Sequence, residues 1–214
     1  MPTNRYNGKP APLETISAGT MLYRIYPSTA TYAANSFNPT PRALGDPRQG
    51  RFEPVDAALG GYLYAAPSLA GAVAEGILRN VAIPRSGLVR RAWLVDKRLA
   101  VLELLQDVPV ASVHGPHAAR LNLDSGLLCC DWKGYSRTRR VGTRILLKSP
   151  DAQGIRYRCR NNDDETSLMF VDRGAVVKIA VRNQWHILAD AKGRTLVLDT
   201  LDHHFGLRYT GSIP

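Results

Sequence analysis

Apolar residues recur at two different periods along this chain. Residues 20–27 (TMLYRIYP) alternate bulky aliphatic and aromatic side chains, which predicts a strand. Residues 62–66 (YLYAA) predict a second, shorter strand. Leu69, Val73 and Ile77 then fall at i, i+4 and i+8, the spacing of a helix face, and predict a helix over residues 68–79. A second helix is predicted over 136–148, with Val141, Ile145 and Leu146 toward the core and the arginines toward solvent. Strands are also predicted at 87–96, 99–104, 154–159, where Ile155, Tyr157 and Cys159 alternate with arginines, 167–171, 175–181 and 185–188, whereas 109–128 is ambiguous. Strands outnumber helices, so the expected class is α+β with a mixed or antiparallel sheet and few helices.

Punctuation divides the rest. Pro2, Gly8, Pro10 and Pro12 make residues 1–19 an irregular arm, and residues 20–214 read as one domain. Residues 28–61 form a long loop carrying Pro39, Pro41, Pro47 and Pro54. A loop of that length inside a domain is usually functional. No internal repeat, low-complexity tract or linker interrupts the 214 residues.

Composition narrows the class of function. Hydrophobic residues make up 44% and charged residues 21%, which excludes wholesale disorder. No apolar run reaches the roughly 20 residues a membrane helix needs. The opening residues lack the apolar stretch of a secretory signal, which predicts a cytoplasmic protein without a membrane partner. Three cysteines, two of them the adjacent Cys129 and Cys130, build no disulfide framework. His114–His117 and His203–His204 are poor metal pairs, so no metal site is expected. Lys and Arg exceed Asp and Glu by 28 to 18, a net charge of +10 that draws anions of any kind. Without a nucleic-acid motif, direct nucleic-acid binding is not expected. Phosphate-loop, nucleophile-elbow and zinc-protease patterns are absent.

An ordered set of short segments is more informative. Leu22-Tyr23-Arg24-Ile25 is followed by Gly50-Arg51-Phe52, then by Tyr62-Leu63-Tyr64-Ala65-Ala66 and residues 70–78, where Glu75 stands eleven positions after Tyr64. Gly154-Ile155-Arg156-Tyr157-Arg158-Cys159-Arg160 and residues 167–173 complete the set. In this order the segments resemble the RES-domain family, named for its Arg, Glu and Ser. Gly50-Arg51-Phe52 is similar to the family's Gly-Arg-Trp turn, and residues 154–160 to its Gly-x-x-Tyr-Pro-Ser-Arg segment. The family serine falls on Cys159, the preceding proline on Arg158 and the tryptophan on Phe52.

The resemblance implies a fold related to ADP-ribosyltransferases and an activity that consumes NAD as substrate, with no further cofactor. Many family members are bacterial toxins that cleave NAD to nicotinamide, paired with an antitoxin of the Xre type, and some transfer ADP-ribose to a protein. Carried onto this chain, Glu75 stabilises the sugar cation, Tyr64 stacks beside it, Arg24 and Arg51 grip the pyrophosphate, and Cys159 takes the place of an orienting hydroxyl. A basic binding module with a decayed site is the non-enzymatic alternative, and the serine-to-cysteine exchange is its main support.

Overall fold

A computed structural model describes residues 6–173 and 177–211. In chain order the elements are β1 (Leu13–Ile16), β2 (Met21–Pro27), β3 (Tyr62–Ala65), α1 (Leu69–Gly76), β4 (Lys97–Leu104), β5 (Val108–Ser112), α2 (Gly115–Arg120), α3 (Ser125–Leu128), α4 (Tyr135–Lys148), β6 (Gly154–Arg158), β7 (Thr166–Val171), β8 (Ile179–His186) and α5 (Ala191–Phe205). The class is α+β, with strands dominating.

The strands form two sheets. One has five strands in the order β1-β5-β6-β7-β3, the other three in the order β2-β4-β8. Among the strands of the described residues, only β5 and β6 pair in parallel. A parallel neighbour needs a long crossover, and α2, α3 and α4 occupy that connection. The sheets meet where Tyr23 of β2 bridges Ala66, just past β3, in antiparallel fashion. Leu22, Leu63, Leu102, Val110 and Phe170 fill the space between them. A second core lies beneath α2–α4, around Phe52, Ile145, Ile155 and Tyr157. A third joins Val73 of α1, Leu99 of β4, and Val197 and Leu201 of α5.

Short side chains let α1 sit between the sheets. Ser68 caps it by accepting from the Gly71 amide at 2.9 Å. A Cβ at Gly71 would lie 2.9 Å from the Thr166 carbonyl oxygen, and one at Gly76 would lie 2.6 Å from the Ile25 Cβ. The two glycines therefore allow α1 to approach β7 on one side and β2 on the other.

Several predicted elements need correction. Residues 87–96 form no strand: Arg91–Trp93 is a 3₁₀ turn that turns its arginine to solvent and leads into buried Leu94. The N-terminal arm is not irregular throughout, because Leu13–Ile16 pairs with β5. The two strands expected at 175–181 and 185–188 are the single strand β8, and Ala175 and Val176 lie outside the described residues. The ambiguous 109–128 segment divides into β5, α2 and α3. In α4, Arg137, Arg140 and Arg144 face solvent as expected, but Arg139 is buried. Residues 28–61 stay irregular apart from a 3₁₀ turn at Ala57–Leu59.

Candidate active site

The cleft that concentrates the chemistry lies where β2, β3 and α1 converge under the 28–61 loop. Its volume is about 450 Å³, and Arg24, Tyr64 and Glu75 line it. Among the described residues no helix is long and apolar enough to cross a membrane.

Glu75 sits near the end of α1, away from the Val73–Ile77 stripe. Its side chain keeps only 10% of its exposure. Such a carboxylate needs donors, and it has three. Arg51 Nη2 donates to Oε1 at 3.2 Å, the Arg160 backbone amide to the same oxygen at 3.4 Å, and the Tyr157 hydroxyl to Oε2 at 3.2 Å. These come from the loop before β3 and from β6 and the turn after it, segments far apart in sequence.

Arg51 has no exposed surface. Its Nη1 donates to the carbonyls of Leu128 at 2.9 Å and Arg158 at 3.0 Å. Its guanidinium carbon lies 5.8 Å from the Tyr135 ring centre and 5.2 Å from that of Tyr157. Burial alone would lower the guanidinium pKa, but Glu75, Tyr135 and Tyr157 outweigh it and the net direction is upward. Arg51 is therefore packed against Glu75 and is not among the residues that line the cleft.

Tyr64 shows its ring to the cleft while its hydroxyl accepts from the Phe52 amide at 2.8 Å. Burial, then the neighbouring Glu53, keeps the phenol protonated well above its usual range. Tyr64 meets Tyr62 and Tyr157 edge to face, with ring centres 5.8 and 6.4 Å apart. The ring is thus a fixed wall rather than a mobile gate.

Arg24 shares the inward face of β2 with Leu22 and Tyr26. Its Nη1 donates to the carbonyls of Ala34 at 2.7 Å and Ser36 at 3.2 Å, and the rings of Tyr26 and Tyr32 lie 5.6 and 5.7 Å away. No carboxylate among the described residues forms an ion pair with it. Burial lowers its pKa, with the nearby tyrosines acting the other way. The anionic partner expected for a buried arginine is therefore not Glu75.

Cys159 is fully buried, and its Sγ lies 3.8 Å from the Gly71 carbonyl oxygen. Burial first, then Glu75, pushes the thiol pKa up, so the group is neutral. The residue touches the backbone of α1 rather than the cleft. The cysteine at the family serine position therefore packs against the helix that carries Glu75.

Two further groups shape the cleft and escaped the motif reading. Buried Glu53 accepts from the Gly50 amide and, at 3.1 Å, from the Arg42 amide. Arg139, from α4, donates to the carbonyls of Glu53, Ala43 and Arg42 and to the Gln49 side chain, which pins the loop in place. Backbone acceptors carry no sequence signature, so only the fold reveals this use of Arg139. Four more cations line the cleft: Arg42, Arg48, Arg79 and Lys97. Among the described residues, Arg48 alone of these forms an ion pair, with Asp46 at 3.0 Å. The result is a cleft with the hydrogen-bonded Glu75 carboxylate at its foot, an aromatic wall and more cations than carboxylates, an arrangement suited to an anionic ligand.

The model of the RES domain matches residues 21–190. Among solved structures, a chain in the crystal structure of the M. tuberculosis MbcT–MbcA toxin–antitoxin complex superposes with a TM-score of 0.58 at 20% identity, covering 86% of this chain and 91% of that one. At that identity the likeness is one of fold. Among curated proteins, no sequence matches.

Proposed function

This chain belongs to the RES-domain family, and from that premise we propose that it is an NAD-consuming toxin. It cleaves the bond between nicotinamide and ribose and is restrained in its own cytoplasm by a cognate antitoxin of the Xre type. The observation that carries the reading is Glu75, a carboxylate held by three donors at the foot of a cationic cleft.

The reaction asks little of the protein in proton transfer. The bond between C1′ and the pyridinium nitrogen breaks with its electron pair going to nitrogen, and nicotinamide leaves neutral. Positive charge develops on the sugar, and a fixed carboxylate beside it lowers the barrier electrostatically. Because Glu75 is already oriented by Arg51, Tyr157 and the Arg160 amide, it needs no reorganisation as that charge appears. Tyr64 packs against the nicotinamide or its ribose, and Arg24 lies within the cleft to meet the ligand's anionic part. A nucleophile then bonds to C1′. If it is water, the products are ADP-ribose, nicotinamide and a proton; if phosphate, they are the 1-phosphate ester of ADP-ribose and nicotinamide.

Incubation of the purified protein with NAD, followed by product identification, tests the reading. Free nicotinamide with ADP-ribose or its phosphate ester is expected. Label transferred to a protein instead would identify an ADP-ribosyltransferase. Intact NAD in both water and phosphate buffer would leave the non-enzymatic alternative.

A further inference from the structure

Around Glu53, the Tyr62 and Tyr64 rings line the wall together with Arg42, and Arg48 is paired with Asp46. Elsewhere in the cleft stand Arg79 and Lys97, and neither forms an ion pair with a carboxylate among the described residues.

Arg79 lies in the turn that follows α1, four residues beyond Glu75. Its guanidinium carbon is 5.8 Å from the centre of the buried Tyr135 ring, the ring that also carries Arg51 at 5.8 Å. Tyr135 thereby couples the placement of Arg79 to that of the Arg51–Glu75 pair. Lys97 opens β4 opposite Pro27 of β2. Burial first, then the charge of Arg79, lowers the Lys97 pKa, and adjacent Asp96 opposes this more weakly. Two like charges held near one another in a partly buried cleft repel in the empty protein. A bridging anion with two charged groups removes that cost and takes forked donors from Arg79 and a point charge from Lys97.

Arg51 does not line the cleft, and Arg24 lines it with Nη1 already bonded to the Ala34 and Ser36 carbonyls, so Arg79 and Lys97 add donors to what Arg24 can offer an anion. With the reacting ribose at Glu75, the phosphates can reach Arg79 and Lys97, which line the same cleft.

We propose that Arg79 and Lys97 form the pyrophosphate subsite of the cleft and select a dinucleotide over a nucleoside. The assignment rests on the NAD reading for the identity of the ligand, but its anion-binding part stands apart from any turnover.

The test is calorimetric binding of inorganic pyrophosphate and of ADP-ribose to the wild type and to Arg79→Gln, Lys97→Gln and Lys97→Arg, with melting temperatures as the check on folding. Both probes should bind the wild type. Each Gln variant should weaken both by about ten-fold or more, the loss of a charge-assisted contact, and Lys97→Arg should restore most of it. In kinetics, the ratio of kcat/KM for NAD to that for nicotinamide riboside, which lacks phosphate, should fall by a similar factor in the Gln variants. Unchanged probe affinities, or a wild type that binds neither probe, would overturn the subsite. NAD cleavage with an unchanged substrate ratio sinks the subsite and leaves the NAD reading standing. Probe binding that weakens as expected, without NAD cleavage, does the reverse.

Discussion

The foot of the cleft and its cationic wall handle charge in opposite ways. At the foot, Arg51 and Glu75 face each other at 3.2 Å, and Tyr157, the Arg160 amide and the Leu128 and Arg158 carbonyls complete their bonding. On the wall, Arg24, Arg42, Arg79 and Lys97 form no ion pair with a carboxylate among the described residues. A satisfied buried pair keeps its geometry whether or not a ligand is present. Unpaired cations at a partly buried surface are stabilised when an anion arrives. Under the proposed function, the difference separates a part of the site set in advance for the chemistry from a part that awaits the substrate.

The comparison breaks most severely at Arg51. Replacing it with Met leaves the Glu75 carboxylate without its cation, and removing one partner of a buried pair costs about 3–5 kcal/mol. Arg51→Met should lower the melting temperature sharply and abolish NAD turnover, as thermal unfolding and nicotinamide release would record. Retained turnover at full stability would show that Glu75 does not depend on its partner.

A gentler change moves the foot without touching its charges. In Gly76→Ala the new Cβ would meet the Ile25 Cβ at 2.6 Å. Ala is a better helix former by about 1 kcal/mol, but overpacking costs about 1–3 kcal/mol, so net destabilisation is expected. Because Glu75 is the adjacent residue, kcat should fall more than NAD affinity. A drop in KM performance alone, with kcat preserved, would place α1 outside the chemistry.

The smallest effect is expected at Cys159, which lies behind the cleft. Cys159→Ser should change stability by within about 1 kcal/mol, since a buried hydroxyl can donate to the Gly71 carbonyl if α1 settles slightly. NAD turnover should stay close to that of the parent protein. A large gain in activity would show that the cysteine weakens the site and favour the decayed-site alternative.

Much of the architecture was legible where one period dominates. The apolar stripe of α4 and the alternation of β2 mark these elements clearly, and the small residues around Glu75 hint at a tight approach. The α5 helix gave no comparable signal, because Gly193 and Thr200 share its buried positions with Val197 and Leu201 and blur the apolar stripe. The false strand at 87–96 arose from its aliphatic residues, of which Val89 and Leu94 instead join the third core. At the site, the motif order brought Arg24, Tyr64 and Glu75 to one cleft. It did not distinguish a phosphate contact from a carboxylate clamp at Arg51, since either role calls for an arginine after a glycine. Arg79 and Lys97 belong to no quoted motif and were two basic residues among 28 until the fold placed them in one cleft.

The most direct test of the central claim is nicotinamide release from NAD by the wild type and by Glu75→Gln, compared at matched melting temperature. The glutamine keeps a carbonyl acceptor for Arg51 but removes the negative charge. Loss of about 10²-fold or more in kcat in a folded variant is the result expected for an electrostatic partner of the sugar cation. Equal release by the two proteins would contradict it.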